Sequence, residues 1–278
     1  FQHLALGTTT LVKARQSFIQ VLQQPKMAAL LLLGFSSGLP LYLASKAPLQ
    51  AWLSQEGLSL EAIAAVSLFG LPYSLKFLWS PFLDRYMPPF LGRRRGWLVI
   101  TQVALIFAIA AMALQHPRAA LQLLGINALV IAFLSASQDI VVDAYRTDVL
   151  EEREMGMGAS LFLLGYRVAI LVTGSLSLAL ADRLPWPMVY LLMALLMLVG
   201  LVTAFFAPEP PLRDRPPQSL FEAVERPFVD FFQRKGVFQG VMILIFIVVY
   251  RFGDALVKNL STPFLLDKGL HFTQTDIA

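Results

Sequence analysis

The sequence predicts an all-α membrane protein with seven transmembrane helices, and three observations carry that prediction. The first is composition. Of 278 residues, 57 % are hydrophobic and only 14 % are charged, where a soluble domain averages about 25 % charged residues. The second is length. Seven apolar stretches reach or approach the ~20 residues that a helix needs to cross a hydrocarbon layer ~30 Å thick. The third is pattern. None of the stretches alternates polar and apolar residues as a barrel strand does.

The same numbers exclude a soluble globular domain and a disordered chain. Cysteine is absent, which removes disulfide scaffolds, thiolate metal sites and cysteine nucleophiles. The net charge of +4 is too small to argue for nucleic acid. Phe1 stands where Met is usual, and Thr273–Ala278 read as the start of another element, so a fragment is expected.

The seven stretches are Met27–Leu53, Ala62–Leu83, Trp97–Leu114, Ala119–Val142, Met157–Ala181, Trp186–Ala207 and Val237–Leu260, numbered here as spans 1 to 7. Residues 1–26 carry Lys13, Arg15 and Lys26 with no long apolar core, unlike a cleaved signal peptide. Basic residues concentrate before span 1 and in connections 2–3, 4–5 and 6–7. Fourteen lie on that side, against Arg118, Arg183 and Lys268 on the other. The N-terminus is therefore expected in the cytoplasm.

Residues 208–236 form a proline-rich connection. Its second part, Ser219–Arg234, sets apolar Leu220, Phe221, Val224, Phe228, Phe231 and Phe232 among charges, the pattern of an amphipathic helix lying on a membrane surface. The expected organisation is a segment 1–26, a six-helix bundle 27–207, the connection 208–236, and the start of a second bundle at 237–278. That is the layout of a two-halved transporter whose second half has just begun.

An ionisable residue at the bilayer centre costs roughly 3 kcal/mol on insertion scales, so depth decides which charges matter. Arg167 lies about 15–17 Å into span 5 at ~1.5 Å per residue, near the midplane. Its planar fork suits bidentate carboxylate recognition; a permanent pair with Asp139 or Asp143 is the competing use. In span 4, Ser135, Asp139, Asp143 and Arg146 share one helical face. That stripe serves either as a gate or proton carrier lining a cavity, or as ion pairs to Lys76 and to the helix's own end. In span 7, Tyr250, Asp254 and Lys258 share a face beside Arg251, as an outer gate or as intrahelical pairs. Lys46 sits at the far interface, where it snorkels, with Tyr42 and Gln50 on its face. Pro40 and Pro48 bend or break span 1. Gly34 with Gly38, and Gly165 with Ala169, form small-xxx-small pairs that pack helices closely.

Three scattered histidines and no cysteine argue against a metal site. No G-x-x-x-x-G-K-[ST] run is present, so ATP hydrolysis is not expected. No catalytic constellation of His, Cys or Ser appears, and neither an enzyme activity nor a cofactor is predicted.

Between spans 2 and 3 the chain reads Ser80-Pro-Phe-Leu-Asp84-Arg85, then Gly92-Arg93-Arg94-Arg95. This resembles the major facilitator signature G-x-x-x-D-[RK]-x-G-R-[RK]. It departs by Ser80 in place of the first glycine and by extra residues before Gly92. Asp84, Arg85, Arg93 and Arg94 suit a latch that answers acidic groups at the base of span 4. The stretches GFSSGLPLYL (34–43), LQAWL (49–53), KFLWSPFLDRYMPPFLGRRRGW (76–97), SASQDIVVDAYRTDVL (135–150), LGYRVAILVTG (164–174) and APEPP (207–211) are similar to the AmpG muropeptide permease family. The resemblance implies a major facilitator helical bundle in the bacterial inner membrane. It implies proton-driven import of N-acetylglucosaminyl-1,6-anhydro-N-acetylmuramyl peptides for peptidoglycan recycling, which feeds beta-lactamase induction in some bacteria. Asp139 is the proton-coupling residue it implies. Arg167 and Lys76 could meet substrate carboxylates, and Gln138, Gln50, Tyr42 and Tyr166 could meet amides and hydroxyls. Asp143, Arg146, Arg251 and Asp254 join the latch residues as candidate gates. Another anionic solute, such as acetyl-CoA or a sugar phosphate, is the alternative cargo, and a non-transporting receptor or scaffold the alternative class. The expected partners are substrate, protons and the lipid bilayer, with the protein a monomer. A chain of this length alone is not expected to transport.

Overall fold

In a computed structural model, residues 23–65, 69–211 and 219–263 are described. They are helical throughout, with turns between, and no strand occurs among them. The helices are α1 (Pro25–Ser45), α2 (Ala47–Gln55), α3 (Leu60–Ala65), α4 (Leu71–Leu75), α5 (Ser80–Arg85), α6 (Arg93–Ala113) and α7 (Leu121–Val149). They continue with α8 (Met155–Leu171), α9 (Ser177–Ala181), α10 (Trp186–Leu196), α11 (Leu198–Phe206), α12 (Leu220–Lys235) and α13 (Val237–Pro263). The chain divides into two compact units, Phe1–Pro217 and Gln218–Ala278.

Five helical stretches are long and apolar enough to cross a membrane: Pro25–Gln55, Arg93–Ala113, Leu121–Val149, Glu152–Ala181 and Trp186–Phe206. Among the described residues these are five of the seven expected spans, 1 and 3 to 6. Span 2 is not one helix. It is divided into α3, α4, a 3-10 turn at Lys76–Leu78 and α5. Pro72 and Pro81 each sit in the first turn of a new helix, where the missing N–H costs nothing. An apolar count sees a continuous run there because proline is not charged. In span 7, the apolar part among the described residues is Val237–Tyr250.

The boundaries of other spans shift for related reasons. α6 begins at Arg93 rather than Trp97, after Gly92 at φ 82°. α7 runs to Val149 rather than Val142, because nothing breaks the helix where the charges begin. Span 1 breaks at Lys46, whose backbone is extended, with Pro48 in the first turn of α2. Pro40 stays inside α1 and does not end it. Span 5 carries a π-helical turn at Val172–Leu176.

α1 is the central helix. It packs against α8, α7 and α11, while α6 packs against α7, α10 and α11. The α1–α8 seam is backbone against backbone. A Cβ on Gly34 would strike the Phe162 carbonyl, and one on Gly165 would strike the Leu31 carbonyl. A Cβ on Gly38 would lie 2.7 Å from the Tyr166 oxygen and 2.8 Å from the Ala169 methyl. Toward α6 and α11, Gln102 Nε2 donates to Ser36 Oγ at 2.8 Å, and both lie where a side chain on Gly200 would have to go. At the Trp52 end, Trp52, Trp186 and Tyr190 stack in one cluster, with centroids 5.0–6.2 Å apart. Trp186 donates to Gln55 Oε1 at 2.7 Å, and Tyr190 donates to the Leu43 carbonyl at 3.2 Å.

In the second unit, Ser219 caps α12 by accepting from Glu222 N at 3.0 Å. Gly236, at φ 74°, turns the chain into α13. Phe232 and Phe231 pack over Gly240, 2.8 Å and 3.2 Å from where its Cβ would be.

The seam predicts that Gly34→Ala destabilises the bundle, since overpacking a close contact costs about 1–3 kcal/mol. The thermal midpoint of the purified chain in detergent should fall by several degrees. Gly156→Ala, where a Cβ would meet nothing within 4 Å, should not lower it.

Candidate functional site

Two polar regions stand out from the apolar bundle. The first is at the Asp84 end. Arg94 bridges two acids, donating from Nη1 to Asp84 Oδ1 at 2.9 Å and from Nε to Asp148 Oδ2 at 2.6 Å. Arg93 Nη2 adds a second contact to Asp84 Oδ1 at 3.2 Å. The base of span 4 thus answers the arginines of connection 2–3 through Asp148. Arg85 is not in this network; its guanidinium lies over the Tyr86 ring at 5.6 Å.

Glu209 completes the cluster. Its two carboxylate oxygens accept from the backbone N–H groups of Arg94 and Arg95, each at 3.1 Å. The free donors at a helix N-terminus favour a carboxylate, and here it arrives from 115 residues away in the chain. Gly92 makes room: a Cβ there would lie 2.5 Å from Glu209 Oε1. Arg95 donates to the Ala204 carbonyl at 3.0 Å and also to that of Phe205. Tyr145 donates to the Pro208 carbonyl at 3.0 Å. The end of span 6 is therefore tied to the start of α6 and to the last turns of α7. In sequence, the only signal for Glu209 is an isolated acid among prolines after an apolar span.

The second region lies within the bundle. Asp139 Oδ1 is buried with no hydrogen-bond partner among the described residues. One turn on along α7, Asp143 holds Lys76 at 3.8 Å. Tyr73 and Ser135 share a hydrogen bond of 2.7 Å in which either can donate. Gln138 Nε2 donates to Ser37 Oγ at 3.3 Å. Trp79 donates to Ser137 Oγ at 3.0 Å. These contacts hold α1, α4 and the start of α5 to α7. The sequence gives no mark to Tyr73, Ser37 or Trp79, which are single polar or aromatic residues in apolar runs.

The stripe on α7 makes the ion pairs of the second expectation, to Lys76 and to the helix's own end, through one of its two acids. Asp143, rather than Asp139, receives Lys76, at 3.8 Å, and Arg146, at 3.3 Å. Arg167 pairs with neither Asp139 nor Asp143. It is exposed on α8, beside the exposed Leu163, Leu164, Val168 and Leu171. Gln138 is fully buried on Ser37. Tyr42, Gln50 and Tyr166 are partly exposed; Tyr42 packs on Gly174 in the π-helical turn. Lys46 is exposed at the break in span 1. The side chains of Arg251, Asp254 and Lys258 lie outside the described residues. No group of three or more His, Cys, Asp or Glu able to hold a metal occurs among the described residues.

Residues 26–275 match the Major Facilitator Superfamily. The chain belongs to this superfamily. Among curated facilitator relatives, the anhydromuropeptide permease of Escherichia coli K12 is 48 % identical over 261 residues, covering 94 % of this chain and 52 % of the relative. An uncharacterized protein of Haemophilus influenzae is 46 % identical over 255 residues, covering 91 % of this chain and 59 % of the relative. The chain spans about half the length of these relatives.

For the facilitator cluster at Asp84, the bridging geometry predicts that lysine cannot replace Arg94, because a single ammonium cannot serve both carboxylates in that fork. Arg94→Lys and Arg94→Ala should both lower the thermal midpoint, by an amount corresponding to about 1–3 kcal/mol for two half-exposed acids left short of a partner. Glu209→Ala should cost roughly 1 kcal/mol as a lost helix cap. Arg153→Ala, whose pair with Glu151 is 81 % exposed on the arginine side, should leave the midpoint unchanged.

Proposed function

We propose that the whole protein imports anhydromuropeptides across the bacterial inner membrane, coupled to protons, by alternating access. The observation that carries the substrate is the likeness along nearly the whole chain to the E. coli protein of that name. The coupling rests on chemistry. A lone carboxyl inside an apolar bundle is costly as an anion and cheap as an acid. Asp139 has a buried oxygen without a partner, and it lies one turn from Asp143, which holds Lys76. Taking up a proton there removes a charge from the Lys76–Asp143–Arg146 chain and alters the relative cost of the two states.

Arg167 is the proposed substrate cation. A guanidinium near mid-span does not face hydrocarbon when an aqueous or protein surface is open to it. Its exposed face on α8 is the wall we assign to the cavity, with Lys76, Tyr42, Gln50 and Tyr166 as further contacts. Gln138 would have to leave Ser37 before it could bind a ligand. The excess of basic residues on one side supports a cytoplasmic position for Asp84, Arg93, Arg94, Asp148 and Glu209. There they form a latch that holds the inward gate shut, with Asp143 and Arg146 beside it. Arg251 and Asp254 are proposed as gate residues of span 7, and α12 as a helix on the cytoplasmic membrane surface. The protein is proposed to act as a monomer.

The test uses vesicles carrying the whole protein and radiolabelled anhydromuropeptide. Asp139→Asn should bind and exchange the label but fail to concentrate it under a proton gradient. Full concentrative uptake by that variant overturns the coupling. Arg167→Gln should weaken binding at least tenfold. Saturable uptake of radiolabelled acetyl-CoA with no uptake of radiolabelled anhydromuropeptide would move the cargo to the alternative solute.

A further inference from the structure

Hydroxyl groups inside membrane helices ordinarily give their proton to the carbonyl one turn back. In α1, Ser36 donates to Leu33 O and Ser45 to Leu41 O. In α7, Ser137 donates to Phe133 O. Ser37 and Ser135 make no such bond. Ser37 Oγ, only 1 % exposed, accepts from Gln138 Nε2, which leaves its own proton to be given elsewhere. The Ser135 hydroxyl meets Tyr73 Oη, and if Ser135 is the donor the phenol proton is left free. The Ser37 and Tyr73 hydroxyls bracket Asp139: Tyr73 meets Ser135, one turn before it on the same face of α7, and Ser37 meets Gln138, the residue beside it, while Asp139 Oδ1 is buried without a partner.

We infer that Ser37 and Tyr73 are positioning residues for Asp139: they are the donors that close on its carboxylate when it is ionised, each aimed by a second residue, Gln138 for Ser37 and Ser135 for Tyr73. This deepens the proposed coupling role of Asp139 and rests on it for its biological meaning. The two donors differ in kind. Gln138 Nε2 can only donate, so the Ser37 hydroxyl is held in one direction. The Tyr73–Ser135 bond can run either way. When Asp139 takes a proton, its new O–H can donate to Tyr73 Oη, and the phenol proton turns to Ser135. No covalent bond other than O–H at Asp139 forms, and the proton comes from water. The reversal reports the charge of α7 to α4, the short helix of the divided span 2. The ionisable groups that act on this carboxyl are Lys76 from the 3-10 turn, Asp143 from α7 and Tyr73 from α4.

The test is an infrared titration of the 278-residue chain in lipid vesicles. The Asp139 carboxyl band is assigned by its loss in Asp139→Asn. Tyr73→Phe and Ser37→Ala each remove a donor to the anion, and each should move the titration midpoint upward by about one pH unit, the scale of one hydrogen bond to a charged group. Trp79→Phe removes a different hydrogen bond between the divided span 2 and α7 and should leave the midpoint in place. Unshifted midpoints in both Tyr73→Phe and Ser37→Ala overturn the inference, as does an equal shift in Trp79→Phe. The readout needs no transport. If the midpoints shift while Asp139→Asn still concentrates substrate in the whole protein, the positioning role stands and the coupling reading falls.

Discussion

The close approach of α1 and α8 is the contact on which the first unit depends. Between two helices in lipid there is little hydrophobic force, because the surrounding tails are as apolar as the side chains. What remains is dispersion at short range, and glycine shortens the range. Gly34 and Gly165 each set their Cα against a carbonyl of the other helix. That fixes the register of α1 on α8 to a single position. α1 then serves α7 and α11 from its other faces. Ser36 and Ser37, neighbours in sequence, point to different helices and meet Gln102 and Gln138. A shift of α1 along α8 would break both polar contacts at once, so the glycine seam also positions the buried polar groups.

The polar groups are divided between depth and end for a reason of cost. Inside the bundle they are neutral hydroxyls and amides, with Asp139 as the buried acid among them. At the Asp84 end they are charges with partial access to water, where an ion pair loses less hydration. Arg94 is the most buried of the charges there, its side chain 10 % exposed, and it is the one that contacts two acids. Glu209 adds neither an arginine partner nor a surface pair. It uses the N-terminal donors of α6, which are fixed in space by the helix itself. The end of span 6 is thereby held by backbone geometry, and the arginine side chains of the same turn stay available for Asp84 and Asp148.

Much of the architecture was legible from the sequence because hydrocarbon thickness and glycine spacing are both written in one dimension. The spans, the small-residue pairs and the arginine-rich connection could be read directly. The division of span 2 was not, although Pro72 and Pro81 marked it, because apolar length masks punctuation. Within the candidate site, Asp139 and the α7 stripe could be found from charge alone. Their partners could not. Lys76 is near both Asp139 and Asp143, and only the three-dimensional path of the 3-10 turn gives the ion pair to Asp143. Tyr73 and Ser37 gained meaning only from which hydrogen bonds they do not make. Glu209 lay beyond any side-chain pattern, since its partners are main-chain groups over a hundred residues away.

The divided second span has a consequence for where water goes. A continuous helix satisfies its own carbonyls and amides and can stand against lipid on every side. Each end of α4, the 3-10 turn and α5 leaves some of those groups without an intrahelical partner, and hydrocarbon offers none in exchange. α7 covers one flank of this strip. The uncovered flank, with Phe77 and Leu78 64 % exposed, is apolar in its side chains yet hungry for hydrogen bonds in its backbone. Such a strip is wetted or covered by protein, never bathed in acyl chains. The breaks in span 2 therefore act as an address: they mark the side of the bundle turned away from the bilayer.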